Sequence, residues 1–324
     1  HCIDFYKADH ISQYPDDTEE VYSNFTPRSI KHAEAYFGRG WDKKIVNFGL
    51  NGLMKWFLQD MWTAEFFLQP KEKVCKRFLR RMDNALGAGA VSVKQIAELH
   101  DLGFLPVIIR ALPEGDVVTA GIPVFTVRNS PGYRNFFWLT NFLESVLSAE
   151  VWKSITNATI ARRYKQIMMR YAIETGAPTD FVPLQGHDFS FRGMSGLHDA
   201  ASHGAAHLTS FCGTDTVLAI DYVEDYYGAD SDKEMVGLSV PATEHSVMCM
   251  GEKDSEKETF RRIFNVLYPT GIVSIVSDTW HYWKVITEYM PEMKDEILAR
   301  KPNAIGLAKV VLRPDSGDPV RIIA

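Results

Sequence analysis

Five polar clusters follow one another down the second half of the chain at nearly even intervals, and this spacing constrains the fold more than any other feature of the sequence. They are His187-Asp188-Phe189, Thr214-Asp215-Thr216, Glu244-His245-Ser246, Ser277-Asp278-Thr279 and Arg313-Pro314-Asp315-Ser316-Gly317. Their acidic members stand at 188, 215, 244, 278 and 315, so the steps are 27, 29, 34 and 37 residues. Each step is about the length of one βα unit, roughly 30 residues. Short β-type runs end in the clusters and helix-compatible segments follow them. Ile272–Val276 (IVSIV) and Lys309–Leu312 (KVVL) read as buried parallel strands, apolar and β-branched. Polar residues at the carboxyl ends of successive parallel strands are where a (β/α) barrel builds its active site. Asp or Thr after a strand also caps the next helix, which suffices for any single cluster; five in register point to a site.

The first 185 residues read differently, as mixed α and β, so the expected domains are 1–185 and 186–324. Lys44–Phe48 is strand-like and Gly49–Gln59 continues as an amphipathic helix. Lys71–Leu86 is a charged helix with Val74, Phe78, Leu79 and Met82 at helical spacing. Pro106–Val127 is β-rich, broken at Pro113-Glu114-Gly115 and Ala120-Gly121. Phe136–Val151 and Ile160–Glu174 read as two helices, the second with Arg162, Arg163, Lys165 and Arg170 on a solvated face. The expected fold class is therefore α/β, an irregular (β/α) barrel portion behind an N-terminal α+β domain.

Composition narrows the function. With 46% hydrophobic and 23% charged residues the chain is an ordinary globular one. Its net charge of −6 argues against nucleic acid held by phosphate neutralisation. Cys2, Cys75, Cys212 and Cys249 are far apart, which fits a reduced, cytoplasmic compartment better than a disulfide framework. No apolar stretch approaches the roughly 18 residues that span a bilayer, and His1-Cys2-Ile3-Asp4 does not open a signal peptide. The chain lacks an initiator Met and closes on Val320-Arg321-Ile322-Ile323-Ala324. From His187 to Ala324 there are 324 − 187 + 1 = 138 residues, about half of the ~250 in a complete barrel. The expectation is an incomplete barrel cut from a longer chain.

Several residues in the clusters carry chemistry. Arg192, followed by Gly193, can present its fork to a phosphate, and Phe189 and Phe191 beside it can stack on a planar ring. His245, with Glu244 adjoining and Asp278 able to approach from a neighbouring strand, suits a proton carrier or nucleophile. In the last cluster Arg313 can hold an anion, and Asp315 or Asp318 can hold ribose hydroxyls or help position Mg²⁺. His203 and His207 are spaced i, i+4 but lack the Glu of H-E-x-x-H, a poor basis for zinc. G-x-G-x-x-G, G-x-x-x-x-G-K-[ST] and G-x-S-x-G are absent. These residues assign no metal ligands.

Taken in order, the motifs resemble those of the nicotinamide phosphoribosyltransferases, within the type II phosphoribosyltransferases. The resemblance runs from Asp4-Phe5-Tyr6-Lys7 and Gln13-Tyr14-Pro15 through Phe48-Gly49-Leu50, Pro113-Glu114-Gly115 and Trp138-Leu139-Thr140-Asn141. It continues through the five clusters with Arg192-Gly193 and Ser239-Val240-Pro241. It implies formation of nicotinamide mononucleotide and pyrophosphate from nicotinamide and phosphoribosyl pyrophosphate in NAD salvage. It further implies Mg²⁺, and ATP hydrolysis coupled through a phosphorylated histidine. By resemblance Phe189 stacks one face of nicotinamide and Tyr6 of the other subunit of a homodimer stacks the opposite face. Asp215 accepts from the carboxamide, Arg313 neighbours base and phosphate, Asp315 lies near the ribose, and Arg192 holds phosphate. Ser239, Val240 and Ser274 line the pocket, and His245 is the phosphorylated histidine, with Glu244 and Asp278 nearby. Asp4 and Arg28 match positions the partner subunit contributes. The family's chain continues past residue 324 with further βα units and a glycine-rich phosphate loop. The rival expectations are a nicotinate phosphoribosyltransferase and a truncated, non-catalytic binding protein.

Overall fold

The computed structural model describes residues 1–304 and 306–323; Ala324, at the tip of the apolar C-terminal run, lies outside them. The strands in chain order are β1 (Tyr22–Phe25), β2 (Lys44–Val46), β3 (Val107–Ala111), β4 (Val117–Thr119), β5 (Phe125–Asn129), β6 (His187–Asp188), β7 (Gly213–Thr214), β8 (Val273–Val276) and β9 (Val310–Arg313). The chain divides into two compact units, 1–238 and 239–324.

In the first unit β1, β5 and β3 form an antiparallel sheet in that order, and β2 pairs antiparallel with β4. Along β5 buried and half-buried residues alternate, as a strand with one face on a core requires. Phe125 and Val127 point into a cluster with Ile45, Leu53, Phe57, Leu147, Val151 and Ile155. The helix Lys71–Leu86 forms over the expected span and ends where Gly87 turns out at φ 104°, burying Phe78 and Met82.

The two helices expected at Phe136–Val151 and Ile160–Glu174 are largely one. A single helix runs from Glu144 to Thr175, 32 residues, and stops at Gly176 with φ 73°. The segment between, with Trp152, Ile155, Thr156, Asn157 and Thr159, has weak intrinsic helix propensity. Packing overrides it: Leu147, Val151, Ile155 and Ala158 lie on one buried face. Thr159 Oγ1 accepts from the main-chain N–H of Val46 at 3.0 Å, tying the helix to β2. The expected solvated basic face is corrected at Arg163. That guanidinium is buried and donates to the carbonyls of Phe37 (2.8 Å) and Arg39 (3.1 Å). Arg162 makes a two-pronged pair with Asp42, which brings the Asp42 carboxyl down to about 2.

The clusters fall where the spacing placed them. β6 and β7 pair in parallel, and Leu238 bridges Gly213 in parallel. In the second unit β8 and β9 pair in parallel over four residues, and Ala242 bridges Ser274 in parallel. β8 is wholly buried, as a strand covered on both faces should be, over a core of Met248, Phe260, Ile263, Phe264, Val285 and Met293. These are short parallel pieces with intervening helices, and among the described residues the sheets do not close into a barrel, in keeping with the incomplete barrel expected.

Candidate active site

Each cluster sits at the carboxyl end of its strand or bridge, where the main chain leaves the sheet and side chains become available. In the first unit the parallel register sets His187 against Gly213 and Asp188 against Thr214. Past these ends stand Phe189, 58% exposed, and Asp215. His187 links them: its Nε2 lies 2.8 Å from Asp215 Oδ1, and its ring centroid is 4.7 Å from that of Phe189. Beneath them Asp188 is buried. Its Oδ1 accepts from the Ser190 N–H at 2.9 Å and its carbonyl accepts from the Asp215 N–H at 2.9 Å. Burial pushes the Asp188 carboxyl up, but hydrogen bonds from the Ser190 hydroxyl and N–H outweigh that and leave it below the usual carboxylate range. Arg192 is exposed on the 3-10 turn Phe191–Gly193 that follows.

The remaining first-unit candidates stand apart in the chain. Tyr6 is 62% exposed, with the Lys7 ammonium 4.9 Å from its ring centre. Asp4 accepts from the Ser145 hydroxyl. Arg28 is exposed at a cleft of about 910 Å³ that Trp41, Asn141, Glu144 and Trp152 also line. His203 and His207 are turned to main-chain carbonyls, of Asp199 at 2.7 Å and Gly213 at 3.0 Å. Burial keeps the His207 imidazole below its usual pKa.

In the second unit His245 opens the short helix His245–Met250. Its Nε2 lies 3.1 Å from Asp278 Oδ1 and its Nδ1 3.8 Å from Asp315 Oδ2. Asp278 accepts further on Oδ2, from the Asp315 N–H at 2.9 Å and the Ser316 hydroxyl at 2.5 Å. Burial pushes the Asp278 carboxyl up, yet the Ser316 and Asp315 donors, with His245, hold it below the ordinary range. With Asp278 ionised, the Nε2–H of a neutral His245 donates to its Oδ1, which leaves the lone pair on Nδ1. Arg313 pairs with Asp315 Oδ1 at 2.7 Å and donates to the Thr243 carbonyl at 3.0 Å. Glu244 turns to the Ser246 hydroxyl, so Asp278 and Asp315 flank the imidazole instead. Ser274 is buried on β8, while Ser239 is exposed and Val240 half-buried at the start of this unit.

Among the described residues no three His, Cys, Asp or Glu side chains gather as a ligand set for a metal. The donors on offer are Asp315, half exposed, and Asp318 in the same loop. One or two carboxylates suit Mg²⁺, which keeps several waters and takes the rest of its shell from substrate phosphates.

Residues 184–324 match the model of the nicotinate phosphoribosyltransferase (NAPRTase) family. A protein of Acinetobacter baylyi named nicotinamide phosphoribosyltransferase is 59% identical over 322 residues, which is 99% of this chain and 62% of that protein. Residues 184–324 are thus similar to the NAPRTase family. A Xanthomonas campestris protein of the same name is 31% identical over 330 residues, covering 99% of this chain and 62% of its own. The crystal structure of human nicotinic acid phosphoribosyltransferase superposes with a TM-score of 0.57 at 18% identity, over 98% of this chain and 62% of that one. The fold is thus a type II phosphoribosyltransferase fold, and the chain spans less than two thirds, 62%, of the length of each of these proteins. Among the described residues no helix is long and apolar enough to cross a membrane.

Two site residues escaped the sequence reading. Ser316 was visible only as part of a turn, and its bond to Asp278 needs two loops 38 residues apart to meet. His187 was visible as a neighbour of Phe189; its contact with Asp215 spans 28 residues and follows from the β6–β7 register.

Proposed function

We propose that this chain carries the base- and histidine-bearing part of a nicotinamide phosphoribosyltransferase. The reaction joins nicotinamide to phosphoribosyl pyrophosphate, giving nicotinamide mononucleotide and pyrophosphate, and serves NAD salvage in the cytoplasm. The observation that carries the reading is the carboxylate of Asp215 beside the exposed ring of Phe189. An aromatic face binds a planar pyridine, and a carboxylate accepts from an amide NH₂ but repels a second carboxylate. The 59% identity to a protein named for nicotinamide supports it. Tyr6, Asp4 and Arg28, exposed on the first unit, serve the partner's site in a homodimer. Ser239, Val240 and Ser274 line the pocket, and Arg192 and Arg313 hold phosphate.

Displacing pyrophosphate from ribose C1 passes through an oxocarbenium-like state, which calls for anion clamps on the leaving group rather than a strong base. Asp315 lies near the ribose, and Mg²⁺, when bound, neutralises pyrophosphate charge. ATP is coupled through His245. The Nδ1 lone pair attacks the terminal phosphorus, the bridging P–O bond breaks and ADP leaves with that electron pair. Asp278 holds the Nε2 proton and the positive charge that develops on the ring, and water later hydrolyses the N–P bond.

The test is steady-state kinetics of the full-length protein with nicotinamide and with nicotinate. Asp215→Asn should lower kcat/KM for nicotinamide by about ten-fold or more, the worth of a hydrogen bond to a charged group, and relax discrimination against nicotinate. A preference for nicotinate in the unmodified protein would support the nicotinate reading, and unchanged selectivity in the variant would remove Asp215 from base recognition.

A further inference from the structure

We infer that His187 is a positioning residue that sets the selectivity for the neutral base, by fixing the carboxylate of Asp215 and the ring of Phe189 together. The inference rests on the reading that these two residues hold the pyridine. Three observations support it. First, one imidazole touches both groups, Asp215 Oδ1 at 2.8 Å from Nε2 and the Phe189 ring at 4.7 Å between centroids with the planes 35° apart. Second, His187 is the more enclosed member of its pair, with 23% of its side chain exposed against 38% for Asp215. The imidazole is therefore set back and the carboxylate presented.

Third, the neighbouring strand is cut to fit the ring. Gly213 pairs with His187 across the parallel register. A Cβ at 213 would stand 2.8 Å from His187 Nδ1 and 2.5 Å from the Gly186 carbonyl oxygen, closer than side-chain carbons approach. The residue opposite must be glycine for both the Gly186 carbonyl and the imidazole to lie where they do. Its Nδ1 edge is confined by main chain while Nε2 is aimed at Asp215. A donor so confined keeps the Asp215 carboxylate aimed, and a carboxylate held in place separates an amide from an acid.

The experiment is steady-state kinetics of the full-length enzyme on nicotinamide and on nicotinate, for the unmodified protein, His187→Ala, His187→Gln, Gly213→Ala and Asp215→Asn. His187→Ala should raise KM for nicotinamide by about ten-fold with a smaller change in kcat, as loss of one charge-assisted hydrogen bond would. It should narrow the nicotinamide-to-nicotinate ratio of kcat/KM and leave KM for phosphoribosyl pyrophosphate unchanged. His187→Gln, which can still donate to Asp215, should recover part of the ratio. Gly213→Ala, which crowds the ring and the Gly186 carbonyl without removing the imidazole, should narrow the ratio in the same direction, and His187→Gln carries the test if either alanine variant fails to fold. A ratio unmoved by His187→Ala or Gly213→Ala, while Asp215→Asn narrows it, overturns the role of His187 and leaves the base site standing. A ratio unmoved by Asp215→Asn as well overturns both.

Discussion

Each unit presents an imidazole paired with a carboxylate at the end of a parallel strand, and the two pairs are opposite in burial. In the first, His187 is 23% exposed and Asp215 38%; in the second, His245 is 47% exposed and Asp278 5%. The more exposed member is the one a substrate can reach, and the buried member orients it. In the proposed function the same two residue types thus give a presented carboxylate for an amide and a presented imidazole for a phosphoryl group. Their supports differ accordingly. The missing Cβ at Gly213 leaves the space His187 occupies, whereas Asp278 is held by donors from Asp315 and Ser316.

The comparison can be broken most sharply at His245. In the full-length enzyme His245→Ala should abolish base-dependent ATP hydrolysis while leaving a slow, ATP-independent transfer. A coupled assay of phosphate release against nicotinamide mononucleotide formation checks it, and ATP coupling that survives the substitution excludes His245 as the acceptor. A smaller effect is expected one step behind. Asp278→Asn keeps the shape but loses the charge that holds the Nε2 proton, and should slow the ATP-coupled rate by about ten- to a hundred-fold. Ser316→Ala leaves Asp278 its main-chain donor and should cost less than Asp278→Asn. A larger loss from Ser316→Ala than from Asp278→Asn would reverse the order of support deduced here.

The smallest effect concerns His207, half-buried beside the first pair. Its folded pKa lies below the 6.5 of an unperturbed histidine because burial penalises the cation. Just below pH 6.5 the unfolded chain takes up a proton that the folded chain refuses, so its contribution to stability is full above that pH and declines as pH falls. His207→Gln should flatten the dependence of the urea midpoint between about pH 7.5 and about pH 5.5. An unchanged slope would mean that another group carries it.

The sequence shows the rhythm of the second half because parallel strands buried on both faces leave a strong mark: β-branched runs closed by polar clusters at βα spacing. Helix Lys71–Leu86 was equally legible, since Val74, Phe78, Leu79 and Met82 recur along it at helical spacing. The long helix Glu144–Thr175 was not, because tertiary packing carries its weak middle. Arg163 misled for a related reason: a basic helical stripe looks solvated until the segment Phe37–Arg39 is known to lay two carbonyls across it. Within the site, residues that touch substrate in this reading were legible as clusters. Those that only orient them, His187 and Ser316, depend on contacts between distant loops, which composition and period do not encode.

The central claim is that inverted burial divides the roles of the two imidazoles. It is tested most directly by mapping phosphohistidine in the full-length protein incubated with ATP and Mg²⁺, using mass spectrometry under conditions that preserve the N–P bond. The account predicts label on His245, lost in His245→Ala, and none on His187. Label on His187, or its absence from His245 while ATP is being hydrolysed, would contradict it.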